Sequence, residues 1–285
     1  MIPKVFHFIY ITINSSFEFD LVSYVAIASC NRINSPTKII LHTNSIPIGK
    51  YWDELKDFVD LNKVHIPDYI FGNKINLLAH AADVIRLQEL IKYGGVYLDL
   101  DTICVRPIPD SLFSETCVMG LELRPGYSFW NLLTMLFTHF FKFEFRLLLY
   151  KLKKLKRLKY VGLCNALIMA SPNSRFLIKW LESYINFDNT NWNYQSVIYP
   201  FKILLKKYKG KDIKIVNHRY FFYPTYDRIG LLQLFGTSDL TIESFPNSYL
   251  HHLWISEIKK VINFNEKELL NSSDSYYARL IKQYV

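Results

Sequence analysis

The chain is 285 residues long, 50% hydrophobic and 21% charged, with a formal net charge of +9. That length and apolar content support one substantial core and exclude a disordered protein. Eight basic residues and one acid fall between Lys142 and Lys159, which leaves about +2 for the rest of the chain and excludes a chain-wide nucleic-acid surface.

Met1-Ile2-Pro3-Lys4 leads directly into Lys4–Ile13, a run rich in β-branched and aromatic residues that reads as a strand. No secretory signal or clear transmembrane helix is recognisable. Cys30, Cys104, Cys117 and Cys164 have no C-x-x-C spacing, so reduced structural thiols in a cytoplasmic protein are expected. Leu21–Cys30 reads as a helix and Thr37–Thr43 as a second strand. This β-α-β alternation predicts an α/β fold whose central sheet is mostly parallel and flanked by helices, with ligand at the strands' carboxyl ends. Tyr51–Val59 reads as a short amphipathic helix, Lys63–Ile66 as a short strand and Asp68–Lys74 as a loop.

Ala81–Pro107 is the most informative stretch. Val84, Ile85, Leu87, Leu90 and Ile91 recur at helical spacing within Ala82–Tyr93, and Gly94-Gly95 stops the helix. Val96-Tyr97-Leu98 has strand character, and Asp99 and Asp101 follow where that strand runs out. On an extended backbone two acids at i and i+2 point to the same side, with Leu100 facing the other. Paired carboxylates at a strand end suit Mg²⁺ or Mn²⁺, which prefer oxygen ligands and share them with substrate phosphates. Asp83 and Arg86, three apart on one helix face, add an acid for sugar hydroxyls and a fixed cation.

Ile103–Val105 continues the chain and Thr116–Leu121 reads as the next strand. Tyr127–Tyr160 begins with fifteen residues lacking formal charge and ends in KLKKLKRLKY, which has six basic residues. Fifteen apolar residues fall short of the roughly 20 needed to cross a bilayer. Phe145, Leu148, Leu152, Leu155 and Leu158 form a helical stripe with lysines opposite. Two readings fit: a helix lying peripherally on an anionic membrane surface, or a helical hairpin packed on the core. Cys164–Ser171 reads as a buried strand, Phe176–Ile185 and Gln195–Tyr208 as helices, Ile213–Val216 and Tyr220–Tyr223 as strands. Tyr249–Trp254 reads as a late strand and Lys259–Tyr284 as a tail with helical character.

The string AADVIRLQELIKYGGVYLDLDT resembles the core of the sugar-binding D-x-D glycosyltransferases. These include α-1,4-galactosyltransferases, yeast initiating α-1,6-mannosyltransferases and capsule or lipopolysaccharide transferases. The match is close over Asn76–Pro107, with support from IPKVFHFIYI, CNALIMASPNSRF and His252-Leu253-Trp254. The resemblance implies a single GT-A catalytic domain over 1–285 with an insertion at about 127–160. It implies transfer of a hexose, with retention, from a nucleotide-sugar donor to a glycan or glycoconjugate acceptor, with Mn²⁺ or Mg²⁺ as cofactor. A UDP-hexose is expected ahead of GDP-mannose.

The resemblance also assigns roles. Asp101 would coordinate the metal, Asp99 would hold the ribose and sugar side directly or through a metal-bound water, and Asp83 and Arg86 would grip donor-sugar hydroxyls. Tyr97 joins this donor-binding set. His7, on the strand that holds the base in the family, reads either as a donor-binding residue or as a strand histidine. Asn165 reads either as the family asparagine near donor sugar and acceptor or as a turn residue. His252 resembles the late histidine that closes the metal shell, while His251, alternating with it, would face away; a surface pair is the other reading. Ser256 stands where the family often has serine, but Glu257 replaces the tryptophan expected next.

Two other functions fit a D-x-D pair. A metal-dependent phosphodiesterase or nuclease would need further acid and histidine clusters, for which only His251-His252 is dense enough. A non-enzymatic carbohydrate-binding module would leave the combination of Asp83, Arg86, Asp99 and Asp101 without a purpose.

Overall fold

The structure, a computed structural model, describes residues 1–13, 18–123, 160–208, 212–261 and 274–284. The chain opens with β1 (Val5–Tyr10), α1 (Leu21–Asn34), β2 (Lys38–Thr43), a short α2 (Lys50–Asp53) and β3 (Val59–Lys63). Asp20 caps α1, its carboxylate accepting the Ser23 N–H at 2.7 Å. A small hairpin of β4 (Tyr69–Ile70) and β5 (Asn73–Lys74) precedes the long α3 (Leu78–Tyr93), β6 (Gly95–Leu98) and β7 (Thr102–Cys104). Then come α4 (Asp110–Phe113), β8 (Cys117–Leu123), β9 (Tyr160–Ala170), α5 (Arg175–Glu182), α6 (Leu205–Tyr208), β10 (Lys214–Val216) and α7 (His218–Phe221). The described chain closes with α8 (Arg228–Phe235), β11 (Leu250–His252), α9 (Ile255–Val261) and α10 (Tyr276–Ile281).

Seven strands form one sheet in the order β10-β8-β9-β6-β1-β2-β3, and only β9 runs against its neighbours. This is the expected mixed α/β architecture. Alternation along β1 sends Phe6, Phe8 and Tyr10 into one apolar cluster with α1, and Ile9 into the other, where Val84, Leu87 and Leu90 of α3 meet Phe176 and Trp180 of α5. Each such buried aliphatic side chain contributes about 1.5–3 kcal/mol of transfer free energy. Cys30, Cys104, Cys117 and Cys164 are buried and free. No helix among the described residues is long and apolar enough to cross a membrane.

Several local expectations are corrected. Val59, expected to end a helix, pairs with Ile39, so the strand begins there rather than at Lys63. Asp68–Lys74 contains the β4–β5 hairpin, turned at Phe71 and Gly72, both at positive φ. Gln195–Tyr208 is wound as wide helical turns over Tyr194–Ile198 and Pro200–Leu204 before α6, because Pro200 has no N–H to donate. The aromatic run at Tyr220–Tyr223 is not a strand: α7 takes its first half, capped by the Asn217 side chain, whose Oδ1 accepts the Arg219 N–H. Aromatic strand preference yields to a cap and to packing. The proposed membrane stripe and the 127–160 insertion lie, apart from Tyr160 in β9, outside the described residues, as does much of the expected helical tail.

His7 is buried, only 1% exposed. Its Nε2 meets the Gly94 carbonyl at 2.8 Å and its Nδ1 meets His42 Nε2 at 2.9 Å; Asn62 follows, 2.9 Å from His42 Nδ1. Donation to Gly94 makes His7 Nδ1 an acceptor, so His42 donates from Nε2 and accepts from Asn62. Burial, only partly offset by the Gly94 carbonyl, lowers His7 to about 4, and burial together with His7 lowers His42 to about 3. His251, buried and bonded to the Tyr223 carbonyl, is lowered to about 4. Unfolded, these rings take up protons near pH 6.5, so the unfolded state binds more protons between that pH and about 4. The stability they confer is complete above that window and is lost as pH falls through it, by at most about 1.4 kcal/mol per pH unit for each ring. Denaturant titrations across this range should show that acid limb, shallower in His42→Gln. An identical slope in the variant would refute the neutral His7–His42 pair.

Candidate active site

The site is assembled where β6 ends. Gly94 (φ 65°) and Gly95 (φ 115°) turn the chain from α3 into β6, and a Cβ at Gly95 would lie 2.4 Å from the Val5 carbonyl oxygen. Only glycine lets β6 approach β1 this closely. Beyond Leu98 the backbone is not extended as expected: it turns through Leu100 and Asp101, with Thr102 Oγ1 donating to the Asp99 carbonyl at 2.8 Å. Asp99 N–H is held by the Ala166 carbonyl of β9 at 2.9 Å. The turn still presents both carboxylates to one place.

The third member comes from far along the chain. β11 pairs antiparallel with β7, matching His252 to Thr102, and the Leu253 N–H donates to the Asp101 carbonyl at 2.8 Å. That register sets His252 Nε2 3.0 Å from Asp101 Oδ1, while Asp101 Oδ2 accepts the Ile255 N–H at 3.2 Å. His251 points away into the core, bonded to the Tyr223 carbonyl at 2.6 Å and to Tyr276 Oη at 3.0 Å. Among the described residues Asp99, Asp101 and His252 form the one cluster able to hold a metal ion, their ligand atoms within 4.8 Å of one another. Burial pulls His252 down, but Asp101 beside it, with Asp99 and Glu122 behind, holds its pKa above the usual imidazole value. Burial pushes Asp101 up, and His252 with the Ile255 N–H outweighs that and lowers it. Two carboxylates and an imidazole nitrogen suit Mn²⁺ or Mg²⁺, Mn²⁺ being the more tolerant of nitrogen.

Behind the cluster, Arg86 lies almost fully buried across three elements. Its guanidinium donates to the Asn165 carbonyl at 2.8 Å, sits 3.3 Å from Asp83 and 3.4 Å from Asp99, and covers the Tyr97 ring at 4.4 Å. Asn165 Nδ2 donates to Asp83 Oδ1 at 2.8 Å, and Tyr97 Oη donates to Asp99 Oδ1 at 2.5 Å. Burial, only partly offset by Arg86, raises Asp83 to about 6. Burial would lower Arg86, but Tyr97, Asp99 and Asp83 hold it above its usual value.

Asp83, Arg86, Asp99, Asp101, Asn165 and His252 all line one cavity of about 320 Å³. Ser256 and Glu257 line it too. Two expected donor-binding residues do not: Tyr97 stands behind Asp99, its hydroxyl committed to that carboxylate, and His7 belongs to the structural array with His42. Sequence reasoning missed Glu122, Tyr226, Trp192 and Ser196, which are also among the lining residues. For Glu122 a signal existed, a lone acid in the apolar run CVMGLEL. A larger groove, about 810 Å³, runs beside β2 and β3, but its Lys38 and Lys56 are paired with Asp60 and Asp53 and it holds no metal-ligand cluster.

Residues 19–119 match the family model described as a glycosyltransferase sugar-binding region containing a DXD motif. Over that stretch the chain is similar to the D-x-D glycosyltransferases. It is 25% identical over 268 residues to glucan organizing enzyme 1 of Cryptococcus neoformans var. grubii, covering 94% of this chain and 65% of that relative. The chain therefore spans less than two thirds of the length of the curated relative it matches. Among solved structures it is similar to the galactosyltransferase LgtC (14% identity, TM-score 0.42, 94% of this chain and 99% of that one). It is also similar to GlyE of Streptococcus pneumoniae TIGR4 (14% identity, TM-score 0.47, 99% of this chain and 63% of that one).

Asp101→Asn and His252→Ala should each weaken Mn²⁺ binding in the presence of UDP by at least about tenfold, since losing even a group that only orients a metal ligand typically costs that much. His251→Ala should lower thermal stability and leave Mn²⁺ affinity alone. Equal effects of the two histidine substitutions in an electron-paramagnetic titration would remove His252 from the ligand set.

Proposed function

We propose that the enzyme transfers a hexose from a nucleoside-diphosphate sugar to a hydroxyl of a glycan or glycoconjugate, with a divalent cation and with retention of anomeric configuration, on a GT-A fold. The observation that carries this reading is the meeting of Asp99, Asp101 and His252 from two distant segments beside the Asp83–Arg86–Asn165 array. Asp99, Asp101 and His252 would hold Mn²⁺ or Mg²⁺. When bound, such an ion supplies Lewis-acid neutralisation of charge on the departing diphosphate.

The chain's own groups do the rest. Asp83 and Arg86 hold each other in place and offer their remaining hydrogen-bonding capacity to donor-sugar hydroxyls. Tyr97 fixes the rotamer of Asp99 toward the ribose and sugar side. Asp83, Asp99 and Asp101 are each engaged by protein donors, so none is free to attack the sugar. The acceptor oxygen then bonds to the anomeric carbon as the carbon–phosphate oxygen bond breaks. The electron pair leaves with the diphosphate, whose oxygen takes the acceptor proton on the same face. A phosphodiesterase reading is less well supported, because two-metal hydrolysis needs a second donor cluster and the described residues contain one.

A UDP-hexose is the first donor to test and GDP-mannose the second, and the glucan named in the fungal relative makes glucans the first acceptors. The basic stripe within 127–160 remains our proposal for contact with anionic membrane. Flotation with phosphatidylserine vesicles that does not depend on Lys153, Lys154, Lys156 and Arg157 would discard it.

The decisive test is a screen of UDP- and GDP-sugars for Mn²⁺-dependent hydrolysis. Arg86→Lys should reduce the rate at least about tenfold, equivalent to about 1.4 kcal/mol, because an ammonium cannot span Asp83, Asp99 and the Asn165 carbonyl at once. Unchanged kinetics would reduce Arg86 to a helix residue, and no hydrolysis of any donor would refute the reading.

A further inference from the structure

The cavity has a second wall that the donor-binding groups do not reach. β6, β9 and β8 are successive neighbours in the sheet. Asp99 stands at the end of β6, Asn165 on β9 and Glu122 on β8. Two strand spacings, roughly 9–10 Å, therefore separate the strand that carries Asp99 from the one that carries Glu122.

Glu122 is placed there by deliberate irregularity. The β8–β9 pairing shifts register between Met119 and Gly120 and again between Glu122 and Leu123. Such bulges re-aim side chains and recur beside active sites. Gly162 pairs opposite Glu122, and a Cβ there would lie 2.2 Å from the Val197 carbonyl oxygen. Its missing side chain lets the turn bearing Val197, itself part of the lining, close over this end of the cavity.

Only 8% of Glu122 is exposed, and no lysine or arginine among the described residues forms an ion pair with it. Its hydrogen-bond partners are the Tyr226 hydroxyl, at 3.3 Å, and Cys164, and the His252 imidazole is near enough to favour its charged form without bonding to it. A carboxylate can accept about four hydrogen bonds. Burying one without a cation bonded to it is costly, and a purely structural role is met more cheaply by an amide or an apolar residue. Tyr226 in turn packs on Trp254 with ring centroids 4.7 Å apart, which sets an aromatic surface beside the carboxylate.

We propose that Glu122, presented by Tyr226, is an acceptor-binding residue. Its carboxylate accepts a hydrogen bond from a hydroxyl of a hexopyranose acceptor packed against Tyr226 and so orients the attacking oxygen. This inference rests on the glycosyl-transfer reading. The donor sugar lies on the α3 side, over Asp83, Arg86 and Asn165; the acceptor enters from the β8 side.

The test measures how one donor partitions between water and added sugar. The donor is the UDP- or GDP-hexose that the wild-type enzyme hydrolyses fastest, and the acceptor probes are methyl glucoside, galactoside and mannoside. Glu122→Gln, nearly isosteric, should lower the transfer-to-hydrolysis ratio at least about tenfold and raise the acceptor KM, the loss expected for one hydrogen bond to a charged group. UDP affinity in the presence of Mn²⁺ should stay the same. Tyr226→Phe should move the ratio the same way by less, which keeps the proposal testable if Glu122→Gln does not fold. An unchanged ratio, or a loss of UDP affinity in step with transfer, would overturn it. A wild-type enzyme that hydrolyses donor but transfers to none of the three glycosides would also overturn it. No donor hydrolysis at all would instead strike down the glycosyl-transfer reading, and this proposal with it.

Discussion

The buried guanidinium of Arg86 is the constraint on which the site depends. It lies 7% exposed, and removing a cation from water to that depth costs several kcal/mol unless its donors are met. They are met by Asp83 on its own helix, by Asp99 at the end of β6, by the Asn165 carbonyl on β9 and by the face of Tyr97. A planar fork can satisfy three separated oxygens only if the helix and both strands stand in one relative position. The charge that would be expensive anywhere else thus ties together the elements that bear the groups proposed to bind the donor. Breaking one such contact leaves the others buried and unpaired, so the array is expected to be more rigid than its exposed surroundings.

Two further devices set the reach of that array. The Gly94-Gly95 pair brings β6 against β1, and the His7 imidazole fills the space a side chain at Gly95 would have taken, 2.8 Å from the would-be Cβ. At the other end, pairing of β11 with β7 converts a sequence separation of 151 residues into a 3.0 Å contact between Asp101 and His252. Because strand side chains alternate, a one-residue slip of β11 would exchange His252 for His251. The commitment of His251 to Tyr223 and Tyr276 guards against that slip, since it has partners only in the observed register.

Much of this was legible in the sequence, for reasons that can be stated. Helical periodicity, a glycine stop and an i, i+2 acid pair are local properties, and α3, β6 and the D-x-D turn follow from them. Asp83 and Arg86 fall on one face because of helix geometry alone. His252 against His251 was a matter of strand alternation once a late strand was assumed. What stayed hidden depends on tertiary contact. Tyr97 carries its hydroxyl to Asp99, and Arg86 covers its ring. His7 was drawn into a structural array because His42 lies beside it on β2. Glu122 and Tyr226 are 104 residues apart and meet only through the β8–β9 pairing and the chain after α7. The turn at Leu100–Asp101 replaced the extended backbone, yet two acids so close in sequence still converge, so both expected carboxylates meet at one place.

The electrostatics of the cavity run against those of the chain. A protein with a formal charge of +9 lines its site with five acids, Asp83, Asp99, Asp101, Glu122 and Glu257, against Arg86 and His252. The raised pKa values of Asp83 and Glu122, set first by burial, register how poorly this space tolerates more negative charge. A nucleoside diphosphate brings more of it. On the proposed reading, donor entry without a cation would place like charges within a low-dielectric cavity at a cost of several kcal/mol, and cation entry without donor would leave much of its coordination to water. Each ligand lowers the cost of the other, so their binding must be coupled with the same factor in both directions. On that reading the acidic lining acts as a gate against diphosphates that arrive alone.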